Sequence, residues 1–121
     1  NAVACAAAVA TIAAIREEGM VERAALLGRQ LIEGLDGIRK ATPAIGDVRG
    51  LGLMVGVELI DEQGAPDAAL ARHTLERCRE HGLLLLTCGP YDNVVRFIPP
   101  LIVSEAQIRE ALQIFAAALQ G

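Results

Sequence analysis

Arg96 stands inside the run NVVRFIPPLIV, residues 93–103, a cation among β-branched and aromatic residues that ends in two prolines. On a strand its same-face neighbours are Val94 and Ile98, which offer a guanidinium no local partner. Such a group needs an anion. Its planar fork of donors suits a carboxylate held in two parallel hydrogen bonds, and a strand aims it better than a loop does. Spacing alone leaves two readings open: Arg96 binds a ligand carboxylate, or it makes an edge-strand salt bridge to a surface acid.

The other residues able to do chemistry have plainer explanations. His73, Cys78 and His81 share one predicted helix, but separations of five and three do not bring all three to one face as a metal triad needs. Tyr91 and Asp92 lie beside Pro90 and Asn93, in a stretch whose composition is that of a turn. Cys88 precedes Gly89 with no His or Asp at the spacing of an activated nucleophile. No metal site and no catalytic residue is assigned.

Composition bounds the partners. The formal charge of -4, with Lys40 the sole lysine among 11 basic residues, provides no basic run that could follow a phosphate backbone, so nucleic acid is excluded as a partner. Cys5, Cys78 and Cys88 are an odd number at wide spacings, neither a disulfide framework nor a CxxC knuckle. A reducing, cytoplasmic setting fits them. The uncharged run from Ala2 to Ile15 lacks a basic leader and is too short to span a bilayer. It is alanine-rich, which suits close helix packing, and an apolar helix with no polar face must be covered on all sides. A single domain of 121 residues can hardly do that. The chain is therefore expected to be part of a larger protein, and Asn1 in place of an initiator methionine agrees.

The elements that must position Arg96 follow from capping and period. Asn1 caps a first helix that stops near Gly19. Met20, Ala24, Leu27, Leu31, Leu35 and Ile38 then recur at spacings of three and four, the stripe of an amphipathic helix. From Gly50 to Ile60 the period becomes two, predicting one strand with Leu51, Leu53, Val55, Val57 and Leu59 on one face. Gly50, Gly52, Met54, Gly56 and Glu58 fall on the other, and its three glycines point either to close approach of a backbone or ligand or to a twist or bulge. Pro66 and Asp67 open a helix with Ala68, Ala71, Leu75 and Cys78 on one side, closed by Gly82. LLLLT reads as a short buried strand, CGPYDN as a loop and VVRFI as a second strand that Pro99 and Pro100 end. Ser104 and Gln107 form a capping box for a last helix buried through Ile108, Leu112, Phe115 and Leu119. The order ααβαββα predicts an α/β domain, a small and mostly antiparallel sheet covered by helices on one face. No repeat, low-complexity tract or flexible linker interrupts it.

NAVACAAA, IGDVRGLGLMVGVEL and GLLLLTCGPYDNVVRFIPPLIVSEAQIREAL, in that order and at these intervals, resemble the C-terminal part of class III aminotransferases, pyridoxal-phosphate enzymes of fold type I. Within that family the likeness is greatest to 4-aminobutyrate aminotransferases. The resemblance covers nearly the whole chain. It implies that residues 17–121 form the C-terminal small domain and residues 1–16 the helix leading in from a large domain. It also implies that pyridoxal 5'-phosphate is bound by that large domain, which carries the Schiff-base lysine, the acid that pairs the pyridinium nitrogen and most phosphate contacts. Lys40, in IRKATP, stands in the wrong context for that lysine, so the chain is expected to be inactive alone. Arg96 matches the family's substrate-carboxylate arginine by its place in VVRF. Arg49, in VRGLG, matches a family position for which a structural role is expected.

The implied reaction moves an amino group from 4-aminobutyrate or a similar amine to 2-oxoglutarate, in an enzyme that is a homodimer when complete. The partners are then an amino donor and an oxo acid, with no membrane. Ornithine transamination and amino-acid racemisation are alternatives within the class, and a stand-alone, non-catalytic α/β domain is the alternative outside it.

Overall fold

The computed structural model describes residues 1–120. Four helices, α1 (Ala2–Glu17), α2 (Met20–Ala41), α3 (Ala68–Glu80) and α4 (Glu105–Gln120), and four strands, β1 (Ile45–Leu51), β2 (Met54–Leu59), β3 (Leu86–Cys88) and β4 (Val94–Phe97), follow one another in the order ααββαββα. The strands form one antiparallel sheet in the order β1-β2-β4-β3. This is the expected α/β class with one strand more than the order ααβαββα. The single strand predicted from Gly50 to Ile60 instead spans the turn of a hairpin, Gly50 and Leu51 ending β1 and Met54–Leu59 forming β2. Leu51 pairs with Met54, and Gly52 turns the chain between them at φ +55. Glycine at the first central position of a two-residue loop is what the tight hairpin turn requires.

Local signals set the helix ends. The Asn1 side chain accepts from the Val3 and Ala4 N–H groups, and Asp67 accepts from Leu70 at 2.9 Å. At α4 the Ser104 N–H donates to Gln107 Oε1 at 2.9 Å while the Gln107 N–H donates to Ser104 Oγ at 3.2 Å, the reciprocal box expected.

The period-two face of β2 is the core floor. Val55, Val57 and Leu59 are at most 1% exposed, and with Val95 and Phe97 of β4 they meet Leu27, Leu31 and Leu35 of α2, Ala71 and Cys78 of α3, and Ile108 and Phe115 of α4. The opposite sheet face carries no such cover among the described residues.

As expected of an apolar helix that this chain cannot cover by itself, no residue of α1 is buried, Val3, Val9 and Ile12 are open to solvent, and among the described residues only α2 packs beside it. One expectation of burial is corrected. The LLLLT run is not a buried strand: only Leu86 and Thr87 of it enter β3, an edge strand, and Leu84 and Leu86 are exposed. None of the helices among the described residues is long and apolar enough to cross a membrane.

One contact holds the hairpin to the helices. A Cβ placed on Gly28, buried in α2, would overlap the Gly52 carbonyl, so helix and turn meet backbone to backbone. Gly28→Ala is expected to destabilise the chain by about 1–3 kcal/mol through overpacking. Gly37→Ala in the same helix, where a Cβ meets nothing within 4 Å, should stabilise by up to ~1 kcal/mol. Urea denaturation of both variants checks the pair; equal midpoints would show that the Gly28 contact yields without cost.

Candidate functional site

β4 runs between β2 and β3, which places Arg96 on an interior strand, not at an edge. Val95 and Phe97 point into the core, so Val94 and Arg96 project from the other face of the sheet. Arg96 pairs across the ladder with Gly56 on one side and Leu86 on the other. It is half-buried. Among the described residues its guanidinium has neither an ion-pair partner nor a side-chain hydrogen bond.

Both ends of its strand are fixed. Before it, Asn93 is 1% exposed, its Nδ2 donates to the Leu59 carbonyl at 2.9 Å, and its own carbonyl accepts from the Leu59 N–H at 2.8 Å. After it, Pro99 and Pro100 stop the ladder, and Arg23 of α2 donates to the Val103 carbonyl at 2.7 Å. Sequence reading did not foresee Arg23 here, because the contact joins residues 80 positions apart.

The nearby acids belong to a different arginine. Arg49 Nη1 donates to Asp47 Oδ2 at 2.8 Å and to Glu58 Oε2 at 2.7 Å. Hydrogen bonding to Asp47, then to Glu58, raises the Arg49 guanidinium further above its ordinary range. A register shift between Ile45 and Asp47 sets Asp47 directly opposite Glu58, so two carboxylates face one another with Arg49 joining them. This is the structural role expected of Arg49.

Gly56 completes the arrangement. Arg49, Gly56 and Arg96 lie in one row across β1, β2 and β4, so the two arginine backbones are about 10 Å apart with no side chain between them. A Cβ at Gly56 would come within 3.1 Å of Val94 Cγ1. The predicted glycine face thus resolves into three jobs. Gly52 makes the turn, Gly50 lies against the Met54 carbonyl across the hairpin, and Gly56 leaves the floor beside Arg96 open.

The remaining candidates are kept apart from Arg96. His73 and His81 are exposed while Cys78 is fully buried, so α3 sends them to different sides. Burial pushes the Cys78 thiol up to about 11, away from the thiolate that a nucleophile or metal ligand needs. Tyr91 is exposed, and Asp92 takes a left-handed turn conformation at φ +51. Cys88 faces Val94 across the β3–β4 ladder. Lys40 is exposed in the last turn of α2, a place that suits a cation at a helix C-terminus. A cleft of about 730 Å³ opens on the helix side, lined by Phe97, Pro100 and Ile108, with polar groups from His81, Gln107 and Glu110. It has no permanent cation, so an anionic ligand is better served at Arg96.

The comparisons with known proteins agree among themselves. The model of the aminotransferase class-III family matches residues 1–119. The chain is 42% identical over 118 residues to the 4-aminobutyrate aminotransferase of Escherichia coli, an overlap covering 96% of this chain and 28% of that protein. It is 43% identical over 116 residues to the 5-aminovalerate aminotransferase of Pseudomonas aeruginosa, covering 94% and 27%. A crystal structure of a Bacillus anthracis aminotransferase superposes with a TM-score of 0.92 at 31% identity, over 99% of this chain and 28% of that one. The chain spans little more than a quarter of the length of these relatives.

Proposed function

The chain belongs to the class-III aminotransferases, and from that premise we propose that it supplies the substrate-carboxylate side of an ω-aminotransferase. In this reading residues 17–121 are the C-terminal small domain and residues 1–16 lead in from a large domain. The amino group passes from 4-aminobutyrate, or an ω-amino acid of similar length, to 2-oxoglutarate. What carries the reading is Arg96: a cation on an interior strand, fixed at both ends, half-buried and unpaired among the described residues. Amino donor and oxo acid both bear a carboxylate, and one planar fork serves each in turn. The relatives that act on 4-aminobutyrate and 5-aminovalerate by name support a terminal amine with a distal carboxylate.

The family's cofactor, pyridoxal 5'-phosphate, supplies the electron sink for such chemistry when bound. The described residues do not fit it by themselves, since Lys40 lies exposed at the end of α2. Its lysine and phosphate contacts fall to the large domain. The exposed apolar surface of α1 and the uncovered sheet face are then the surfaces the rest of a homodimeric enzyme meets. Three free cysteines accord with a reducing, cytoplasmic setting.

The test is a comparison of two proteins. The complete enzyme, loaded with pyridoxal phosphate, is expected to form glutamate from 4-aminobutyrate and 2-oxoglutarate. The 121-residue chain alone should form none and should leave the cofactor's absorption spectrum unchanged. Turnover by the chain alone would defeat the division of labour. A complete enzyme that refused 4-aminobutyrate but used ornithine, or racemised an amino acid, would move the assignment elsewhere within the class.

A further inference from the structure

The first rung of β4 against β2 is closed by a side chain. The register that pairs Val57 with Val95 and Glu58 with Val94, continued by one residue, sets Leu59 opposite Asn93, where an antiparallel ladder exchanges two backbone bonds. One is present: the Leu59 N–H donates to the Asn93 carbonyl at 2.8 Å. The Asn93 N–H does not return it, and Asp92 just before turns the chain at φ +51. The Asn93 side chain returns it instead, Nδ2 donating to the Leu59 carbonyl at 2.9 Å. The same carbonyl accepts from the Asp67 N–H at 3.0 Å, and Asp67 caps α3 through Leu70. One oxygen thus ties the end of β2 to the starts of α3 and β4.

We infer that Asn93 is a positioning residue for Arg96, its side-chain amide standing in for the backbone donor that this rung lacks. A strand end without its last rung frays, and Arg96 lies only three residues along. The rung also pins the register that sets Arg96 opposite Gly56, and register decides where a strand side chain is aimed. A neutral amide donates without bringing a charge into a position that is 1% exposed. Both bonds are internal to the chain, so whatever meets Arg96 from the large domain leaves this rung as it is. Asn93 touches no substrate in this scheme and acts only through β4. The inference rests on the reading of Arg96 as the substrate-carboxylate arginine.

The test uses the complete enzyme loaded with pyridoxal phosphate. N93L keeps most of the volume and removes the donor; it should raise KM for 4-aminobutyrate about fivefold, the factor one neutral hydrogen bond is worth, with kcat little changed. Turnover of butylamine, which has no carboxylate, should change little. N93D keeps the shape of the amide: ionised, the introduced carboxyl has no donor for the Leu59 carbonyl, and protonated it has one. Burial, with Asp67 and Asp92 close by, lifts its pKa, so between about pH 8 and about pH 6 the KM of N93D relative to wild type should fall toward one as protons are added. In the unsubstituted enzyme, hydrogen exchange at the Leu59 amide should be as slow as at Val57, a measurement that needs no variant to fold. An unchanged KM in N93L, equal losses for 4-aminobutyrate and butylamine, a pH-independent loss in N93D, or fast exchange at Leu59 each overturns the inference. The reading of Arg96 is judged separately by R96A. If R96A kept the preference for 4-aminobutyrate over butylamine, that reading would fall; if R96A lost it while N93L did not weaken 4-aminobutyrate, only the role of Asn93 would fall.

Discussion

Arg96→Ala in the complete protein is expected to lower kcat/KM for 4-aminobutyrate by about 30-fold or more, and to weaken the apparent affinity for 2-oxoglutarate with it. The physical content is the loss of a charge-assisted, two-pronged contact, worth about 2–5 kcal/mol where the pair is desolvated. Arg96 is half-buried within the described residues, on a strand tied at Asn93 and closed by Pro99, so little ordering is needed when a carboxylate arrives. Arg96→Lys should keep the fold yet recover little of the loss, because an ammonium is a point charge without the parallel donors. The control is butylamine, which matches 4-aminobutyrate in length and lacks the carboxylate. Selectivity between the two should collapse in both variants. If both substrates lost activity equally, Arg96 would be a structural cation and the ligand assignment would fail.

That Arg96 could be picked out of the sequence at all reflects its surroundings. A lone guanidinium between β-branched residues advertises a missing anion, and the period of the strand shows that no neighbour on its face provides one. The clamp on Arg49 was not legible in the same way. It depends on Asp47 and Glu58 being brought opposite one another, which depends in turn on the hairpin and on the register shift at Ile45/Asp47. Periodicity could not reveal that hairpin. Leu51, Leu53 and Val55 keep their alternation straight through the turn, and only Gly52 marks it. Read as one strand, Arg49 and Glu58 lie nine residues apart; folded back, they are bonded.

Helix ends were legible because the groups involved lie within three residues of one another, as at Asn1, Asp67 and the Ser104–Gln107 box. The amphipathic stripe of α2 was legible for the same reason. Burial was not always so. Leu84 and Leu86 have the character of core residues and stand exposed, since apolar composition says that a surface wants cover without saying which segment gives it. For α1 the lack of cover within this chain was legible, because a helix apolar on every side asks for more surface than a domain this size provides.

Phe115→Ala tests whether the core and the site are one structure. Phe115 is fully buried in α4, with its ring edge-on to Phe97 at a centroid distance of 5.2 Å and an interplanar angle of 81°. Phe97 follows Arg96 on β4 and faces the other way, so this pair is one of the contacts that join the Arg96 strand to the helices, beside Val95 in the same core. Truncation at such a position costs about 3–5 kcal/mol in lost transfer energy and cavity. A domain stabilised by only about 5–15 kcal/mol would lose a large part of its margin. Urea denaturation should show a lower midpoint at an unchanged slope, and Phe115→Leu, which keeps most of the volume, should cost under about 1.5 kcal/mol. Because β4 is held from its core side, the Ala variant of the complete enzyme should also bind 4-aminobutyrate less tightly, while Phe115→Leu should bind nearly as wild type. A Phe115→Ala protein with an unchanged midpoint would mean that the aromatic pair does not support the sheet. One that is destabilised but binds 4-aminobutyrate normally would show that Arg96 owes its position to Asn93, Arg23 and the prolines alone.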